Sequence, residues 1–159
     1  MDETPTPLTN SAPEPAVTPA QPLTGQAPAP AAAPVSSPKK ILLVEDDDAL
    51  ANVYQTRLQA EGFAIQRVPN GEEALAAALA YKPNLILLDV MMPRISGFDV
   101  LDILRNTPET TNVKVIMLTA LSQDTDKQRA ESLGVDDYLV KSQVVIADVV
   151  ERIKAHLGM

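Results

Sequence analysis

The sequence has no cysteine and no tryptophan, and its only aromatic residues are three tyrosines and two phenylalanines. Without cysteine there is no disulfide framework, no thiolate nucleophile and no cysteine-ligated zinc or iron–sulfur centre. That usage is compatible with a reducing cytosol. Basic side chains are scarce: 13 Lys and Arg against 21 Asp and Glu leave a net charge of −8 over 159 residues. Counterion release from a nucleic acid needs a basic face, so no direct DNA binding is expected. No apolar run approaches the roughly 18 residues needed to span a bilayer, so no membrane insertion is expected. The first residues, MDETPTPLTN, carry acids where a signal peptide carries Lys or Arg. The expectation is a soluble, cytoplasmic protein.

Proline is plentiful but confined. Ten of the 14 prolines fall in residues 1–38, with eight alanines and no Lys or Arg. Such a segment has too little bulky apolar surface to offset the entropy of ordering it. Residues 1–38 therefore read as a disordered, solvated Pro/Ala-rich tail, whose PxxP-like spacings arise from composition alone. Residues 39–159 differ abruptly: 13 basic and 18 acidic side chains give a net charge of −5. A chain of that size buries roughly two thirds of its surface and can hold its own core.

Within residues 39–159 strands and helices alternate. Ile41–Val44 is a short apolar strand. Leu50, Val53, Tyr54 and Leu58 then form a helical stripe, closed by Gly62. Phe63–Val68 is a second strand. Asn70 caps a second helix, with Glu73 placed for a capping box. Ala74, Leu75, Ala78 and Leu79 form its stripe, and Pro83 follows its end. Leu85–Leu88 is a third strand. Ser96–Arg105 is a third helix with Val100, Leu101 and Leu104 inward. A fourth strand covers Val113–Leu118 and a fourth helix Ser122–Leu133. A fifth strand covers Asp137–Val140 and a fifth helix Val145–Leu157, which buries Val149, Val150, Ile153 and Leu157. Continuously apolar strands belong in parallel sheets covered on both faces. Strict alternation then predicts a doubly wound α/β sandwich with right-handed crossovers.

In such a sheet, functional groups gather at the carboxyl ends of the strands. Those ends read Glu45 and Asp46, Asp89, Thr119 and Lys141; only the second strand lacks a comparable group. Three converging carboxylates repel one another unless a positive charge intervenes. A hard divalent cation such as Mg²⁺, held by carboxylates, waters and a phosphate, supplies it. Lys141 offers a point charge and Thr119 a hydroxyl donor to an incoming phosphoryl group. Asp89 is then the nucleophile of a phosphoryl transfer.

The residues in these places resemble a bacterial response-regulator receiver domain. The matching motifs are ILLVEDD at 41–47, LILLDVMMPRISGFDVL at 85–101, VIMLTA at 115–120 and RAESLGVDDYLVK at 129–141. The intervals from Asp46 to Asp89, Thr119 and Lys141, which are 43, 30 and 22 residues in turn, suit that family. The resemblance covers essentially all of residues 39–159. It implies a flavodoxin-like, five-stranded parallel sheet in the order 2-1-3-4-5. It implies that Asp89 is the phosphoacceptor, and that Glu45, Asp46, Asp89 and the main-chain carbonyl of Met91 hold Mg²⁺. Thr119 and Lys141 would contact the phosphoryl group. Tyr138 would be the aromatic that changes rotamer as Thr119 is drawn inward. The donor would be a phosphohistidine on a sensor histidine kinase or histidine phosphotransfer protein. Output would be a protein contact on the face of the fourth helix, fifth strand and fifth helix, or phosphate relay to a second histidine protein, since the chain ends directly after that helix. The protein would be no enzyme beyond Mg²⁺-dependent self-phosphorylation and slow self-dephosphorylation.

Other roles follow from position alone. Asp47 or Asp48 is a helix cap, Met91, Met92 and Met117 are packing residues, and His156 in the last helical turn has no catalytic role. Three departures from the family pattern stand out. Ser142 replaces the usual proline after Lys141, so a trans bond is expected there. Glu45 replaces the commoner Asp and reaches far enough to meet a metal through water. Met91 and Leu121 stand where the family often has polar side chains that act on the attacking water, which predicts a long-lived acyl phosphate. Two alternatives remain. A constitutive, never-phosphorylated interaction module on a receiver scaffold would fail to bind Mg²⁺. An aspartyl-phosphate hydrolase of the haloacid-dehalogenase type needs an acid/base Asp two residues after the nucleophile, where Met91 stands.

Overall fold

The computed structural model describes residues 37–159, so the expected tail lies outside the described residues except at its last two positions. Five strands form one parallel sheet: β1 (Lys40–Val44), β2 (Ala64–Val68), β3 (Leu85–Leu88), β4 (Lys114–Thr119) and β5 (Asp137–Val140). Their order is β2-β1-β3-β4-β5, the flavodoxin-like order expected. Five helices alternate with them: α1 (Asp48–Ala60), α2 (Gly71–Tyr81), α3 (Gly97–Arg105), α4 (Asp124–Ser132) and α5 (Ile146–His156).

Strand alternation divides the core into two layers. Leu42, Val44, Ile86, Leu88, Val115 and Met117 face one cluster with side chains from α2, α3 and α4. Ile41, Leu43, Leu85, Leu87, Ile116 and Leu118 face the other, against Tyr54 and Leu58 of α1 and Val149, Val150 and Ile153 of α5. Both faces are covered, which is why these strands read as unbroken apolar runs. Each fully buried Leu or Ile contributes about 1.5–3 kcal/mol. Leu87→Ala would cost about 2–5 kcal/mol through lost burial and the cavity left behind.

Caps set the helix starts. Asp47 accepts the Leu50 N–H at 3.0 Å, and Asn70 accepts the Glu73 N–H at 2.9 Å. Glu73 does not close a full capping box, because its carboxylate takes the Asn70 side-chain amide instead. Ser96 caps α3. Arg105 fastens the lower edge, donating to the carbonyls of Gly134, Thr111 and Val113 and to Asp136.

Several expectations are corrected. Val53 is 54% exposed, because α1 turns Ala51, Tyr54 and Leu58 inward and leaves Leu50 half-buried. Leu79 is exposed beside Ile103, because α2 packs through Gly71 and its alanines. Helix α4 is shorter than expected at both ends and buries only Ala130. Leu157 is half-buried, just past the end of α5. Among the described residues no peptide bond is cis, so Lys141–Ser142 is trans as expected. No helix among the described residues is long and apolar enough to cross a membrane.

Candidate functional site

The register brings the chemistry together. Val44 pairs with Leu88, and Thr119 with Val140, so Glu45, Asp89, Thr119 and Lys141 lie at neighbouring strand ends. Carboxylate oxygens of Glu45, Asp46 and Asp89 all lie within 4.8 Å of one another. Glu45 and Asp89 are buried, while Asp46 opens to solvent. Lys141 Nζ donates to Glu45 Oε2 at 2.9 Å and to Asp89 Oδ2 at 3.1 Å.

One ammonium cannot neutralise three carboxylates, and the titration of the pair reflects this. Burial pushes the Glu45 carboxyl above its usual range, against the Lys141 hydrogen bond and with the charge of Asp89 adding to the rise. Burial alone would lower the Lys141 ammonium. Its hydrogen bond to Glu45 and the charge of Asp89 outweigh that and hold it above its ordinary value. The cluster therefore gathers three carboxyl groups around one ammonium in a partly desolvated place. A hard divalent cation with oxygen ligands fits such a donor set.

The neighbouring loops are shaped to hold Asp89. The Met91 N–H donates to Asp89 Oδ1 at 3.2 Å. The Gly97 N–H bonds the Val90 carbonyl at 2.9 Å. A Cβ on Gly97 would lie 2.3 Å from the Asp89 carbonyl oxygen, so only glycine lets α3 start this close to the loop after β3. Met91, expected to pack, is 57% exposed because this loop carries it beyond the apolar layer. Met92 packs partly and Met117 is buried, as expected.

Thr119 is fully buried, and its Oγ1 accepts the Leu121 N–H at 3.3 Å. Tyr138 is also buried, and its hydroxyl donates to the Leu121 carbonyl at 2.9 Å. The two expected switch residues thus hold opposite sides of one residue's backbone. Burial raises the Tyr138 hydroxyl above its ordinary value, with Asp126 adding to it, so it stays protonated and donates. His156 lies away from this edge, its Nε2 3.1 Å from Asp137 Oδ2.

One contributor escaped the reading of the strand ends. Arg67, on β2, sends two guanidinium nitrogens to the Glu45 carbonyl oxygen at 3.0 and 2.7 Å and a third to Asp48 at 2.7 Å. A charged residue near the end of an otherwise half-buried strand was the available signal. On an edge strand it reads equally well as a solvated side chain.

Comparison with known proteins agrees with this arrangement. The response regulator receiver domain family matches residues 41–154. The polar-differentiation response regulator DivK of Brucella anthropi is 32% identical over 121 residues, covering 76% of this chain and 98% of DivK. The DNA-binding dual master transcriptional regulator RpaA of Synechocystis is 36% identical over 118 residues, 74% of this chain but only 48% of RpaA. This chain therefore spans about half the length of such relatives. Among solved structures, a CheY-like receiver domain protein from Methanospirillum hungatei superposes with a TM-score of 0.71 at 29% identity, covering 77% of this chain and 95% of that one. With its acidic cluster, its strand order and a family match that spans most of its length, the chain belongs to the response regulator receiver domain family.

Proposed function

We propose that this protein is a phosphorylation-dependent switch of a two-component phosphorelay, with Asp89 as the phosphoacceptor. The observation that carries the reading is Lys141 Nζ seated between Glu45 and Asp89, with a third carboxylate, Asp46, within 4.8 Å of both. An Asp89 carboxylate oxygen attacks the phosphorus of a phosphohistidine. The P–N bond breaks, and the imidazole of the sensor histidine kinase or phosphotransfer protein leaves and takes up a proton. Lys141 meets one phosphoryl oxygen, and the Thr119 hydroxyl donates a hydrogen bond to another. Glu45, Asp46, Asp89 and the Met91 main-chain carbonyl would hold Mg²⁺, which when bound neutralises charge on the transferring group. Both Glu45 oxygens already have partners, Lys141 and the Asp47 N–H, which supports a contact from Glu45 to the metal through water.

The readout follows from the Leu121 backbone. If Thr119 turns toward a phosphoryl oxygen, it gives up the Leu121 N–H. The Leu121 backbone then keeps only its Tyr138 bond, and the α4–β5–α5 face changes. A downstream protein reads that face. The receiver domain spans residues 39–159, residues 1–38 form a Pro/Ala-rich segment outside it, and the working compartment is the cytoplasm. The chain does no chemistry beyond its own Mg²⁺-dependent phosphorylation and slow dephosphorylation.

Phosphoramidate, a small donor with a P–N bond, tests the transfer. With Mg²⁺, phosphorus NMR should show an acyl phosphate on the wild type that is missing from Asp89→Asn. Its absence from the wild type, at saturating donor and Mg²⁺, would favour the constitutive interaction module.

A further inference from the structure

Resting on the reading of Glu45, Asp46 and Asp89 as a cation site, we infer that Arg67 is a positioning residue that sets the site's affinity for a divalent cation. The inference starts from the connection between β1 and α1. Glu45 and Asp46 are consecutive, so one peptide plane, made of the Glu45 carbonyl and the Asp46 N–H, joins their Cα atoms, and its orientation helps to set the directions in which both side chains leave the backbone. Arg67 donates twice to that carbonyl, at 3.0 and 2.7 Å. The Glu45 N–H bonds the Val68 carbonyl at 3.1 Å. Three bonds from two adjacent β2 residues therefore clamp the backbone on both sides of Glu45.

The geometry suits arginine specifically. Two of its nitrogens share one carbonyl while the third reaches Asp48 Oδ1 at 2.7 Å, a planar fork that lysine cannot copy. The Arg67 side chain is only 21% exposed, whereas that of Asp48 is 86% exposed. The weight of the interaction thus falls on the Glu45 carbonyl, since an exposed ion pair contributes little. Beyond the clamp, the acidic loop is tied by the Asp47 N–H on Glu45 Oε1 and by the Asp47 cap on Leu50. Neither of these fixes the Glu45 carbonyl.

Charge and position make opposite predictions. Arg67 is a cation beside a cation site. If it acted only by charge, removing it would tighten metal binding. If it acts by orienting the ligands, removing it weakens binding, and loss of such outer contacts costs about tenfold or more in metal affinity. The sign of the change therefore separates the two roles.

The test is a Mg²⁺ titration of the full chain followed by amide NMR shifts, with thermal unfolding measured alongside. Arg67→Met should raise the Mg²⁺ Kd about tenfold, and Arg67→Lys should fall between it and the wild type. Asp48→Asn, which leaves the carbonyl fork intact, should bind within about twofold of the wild type. If Arg67→Met fails to fold, the Arg67→Lys comparison decides alone. Arginine variants that bind as tightly as the wild type, or tighter, would overturn the inference while leaving the cation site standing. A wild type that shows no Mg²⁺-dependent shifts would overturn the reading of the site, and the inference with it.

Discussion

Lys141 Nζ lies 2.9 Å from Glu45 Oε2, which joins the ends of β1 and β5 across two intervening strands. The same nitrogen holds Asp89 at 3.1 Å, so one cation serves two buried carboxylates. Lys141→Met leaves those carboxylates facing each other without a countercharge, each keeping only one backbone N–H, from Asp47 and Met91. In metal-free buffer at pH 7 we expect a loss of about 3 kcal/mol, since removing one partner of a buried pair strands the other's charge. Glu45 already ionises above its usual range, and losing the ammonium lifts it further. The deficit should therefore be smaller at a mildly acidic pH than at pH 7, as Glu45 takes up a proton. Urea unfolding at the two pH values checks this.

Gly97→Ala tests how tightly α3 is seated. The new Cβ would lie 2.3 Å from the Asp89 carbonyl oxygen and 2.7 Å from Val90 Cα, both backbone atoms. Overpacking of this kind costs about 1–3 kcal/mol. Because the strain lands on Asp89, the proposed phosphoacceptor, phosphorylation should slow as well. Denaturant midpoints and the rate of mass gain with acetyl phosphate report the two effects.

Asp137 governs part of the acid limb of stability. Burial alone would raise its carboxyl, but the hydrogen bonds with Arg152 and His156 and from the Tyr138 N–H together hold it below the ordinary range. A depressed carboxylate contributes its stability above the unfolded value of about 4 and loses it as pH falls through the folded value. Asp137→Asn should be less stable than the wild type by about 1 kcal/mol at pH 7, and the gap should close below about pH 4. A gap that persists unchanged at pH 2.5 would contradict this.

The lifetime of the phosphorylated state should depend on Met91 and Leu121. Met91 is 57% exposed, and its side chain carries no group to orient water. The Leu121 backbone is occupied by Thr119 and Tyr138. We expect the acyl phosphate to last minutes or longer in Mg²⁺ at neutral pH, and Met91→Asn to shorten that several-fold. Decay followed by phosphorus NMR checks it, and a wild-type lifetime of seconds would contradict it.

Much of this architecture is legible in the residues, for definite physical reasons. Ile41–Val44, Leu85–Leu88 and Val115–Leu118 are apolar at every position, which is possible only with both sheet faces covered. Once they are parallel, their carboxyl ends place Glu45, Asp46, Asp89 and Thr119 on one edge, which Lys141 joins from the end of β5. What stays hidden depends on rotation and reach. Val53 and Tyr54 are equally apolar to a periodicity argument, yet a small turn of α1 exposes one and buries the other. Arg67 is charged on an edge strand, and only coordinates show its guanidinium turning back to the Glu45 carbonyl. The shared hold of Thr119 and Tyr138 on Leu121 runs through backbone atoms, which carry no side-chain signature.

The central claim is that Asp89 takes up a phosphoryl group with the help of a divalent cation. Its most direct test is the intact mass of the full chain after incubation with acetyl phosphate and Mg²⁺, beside Asp89→Asn and an EDTA control. The account predicts a gain of one phosphoryl group on the wild type and none in either control. An unchanged wild-type mass at saturating donor and Mg²⁺, or an equal gain on Asp89→Asn, would contradict it.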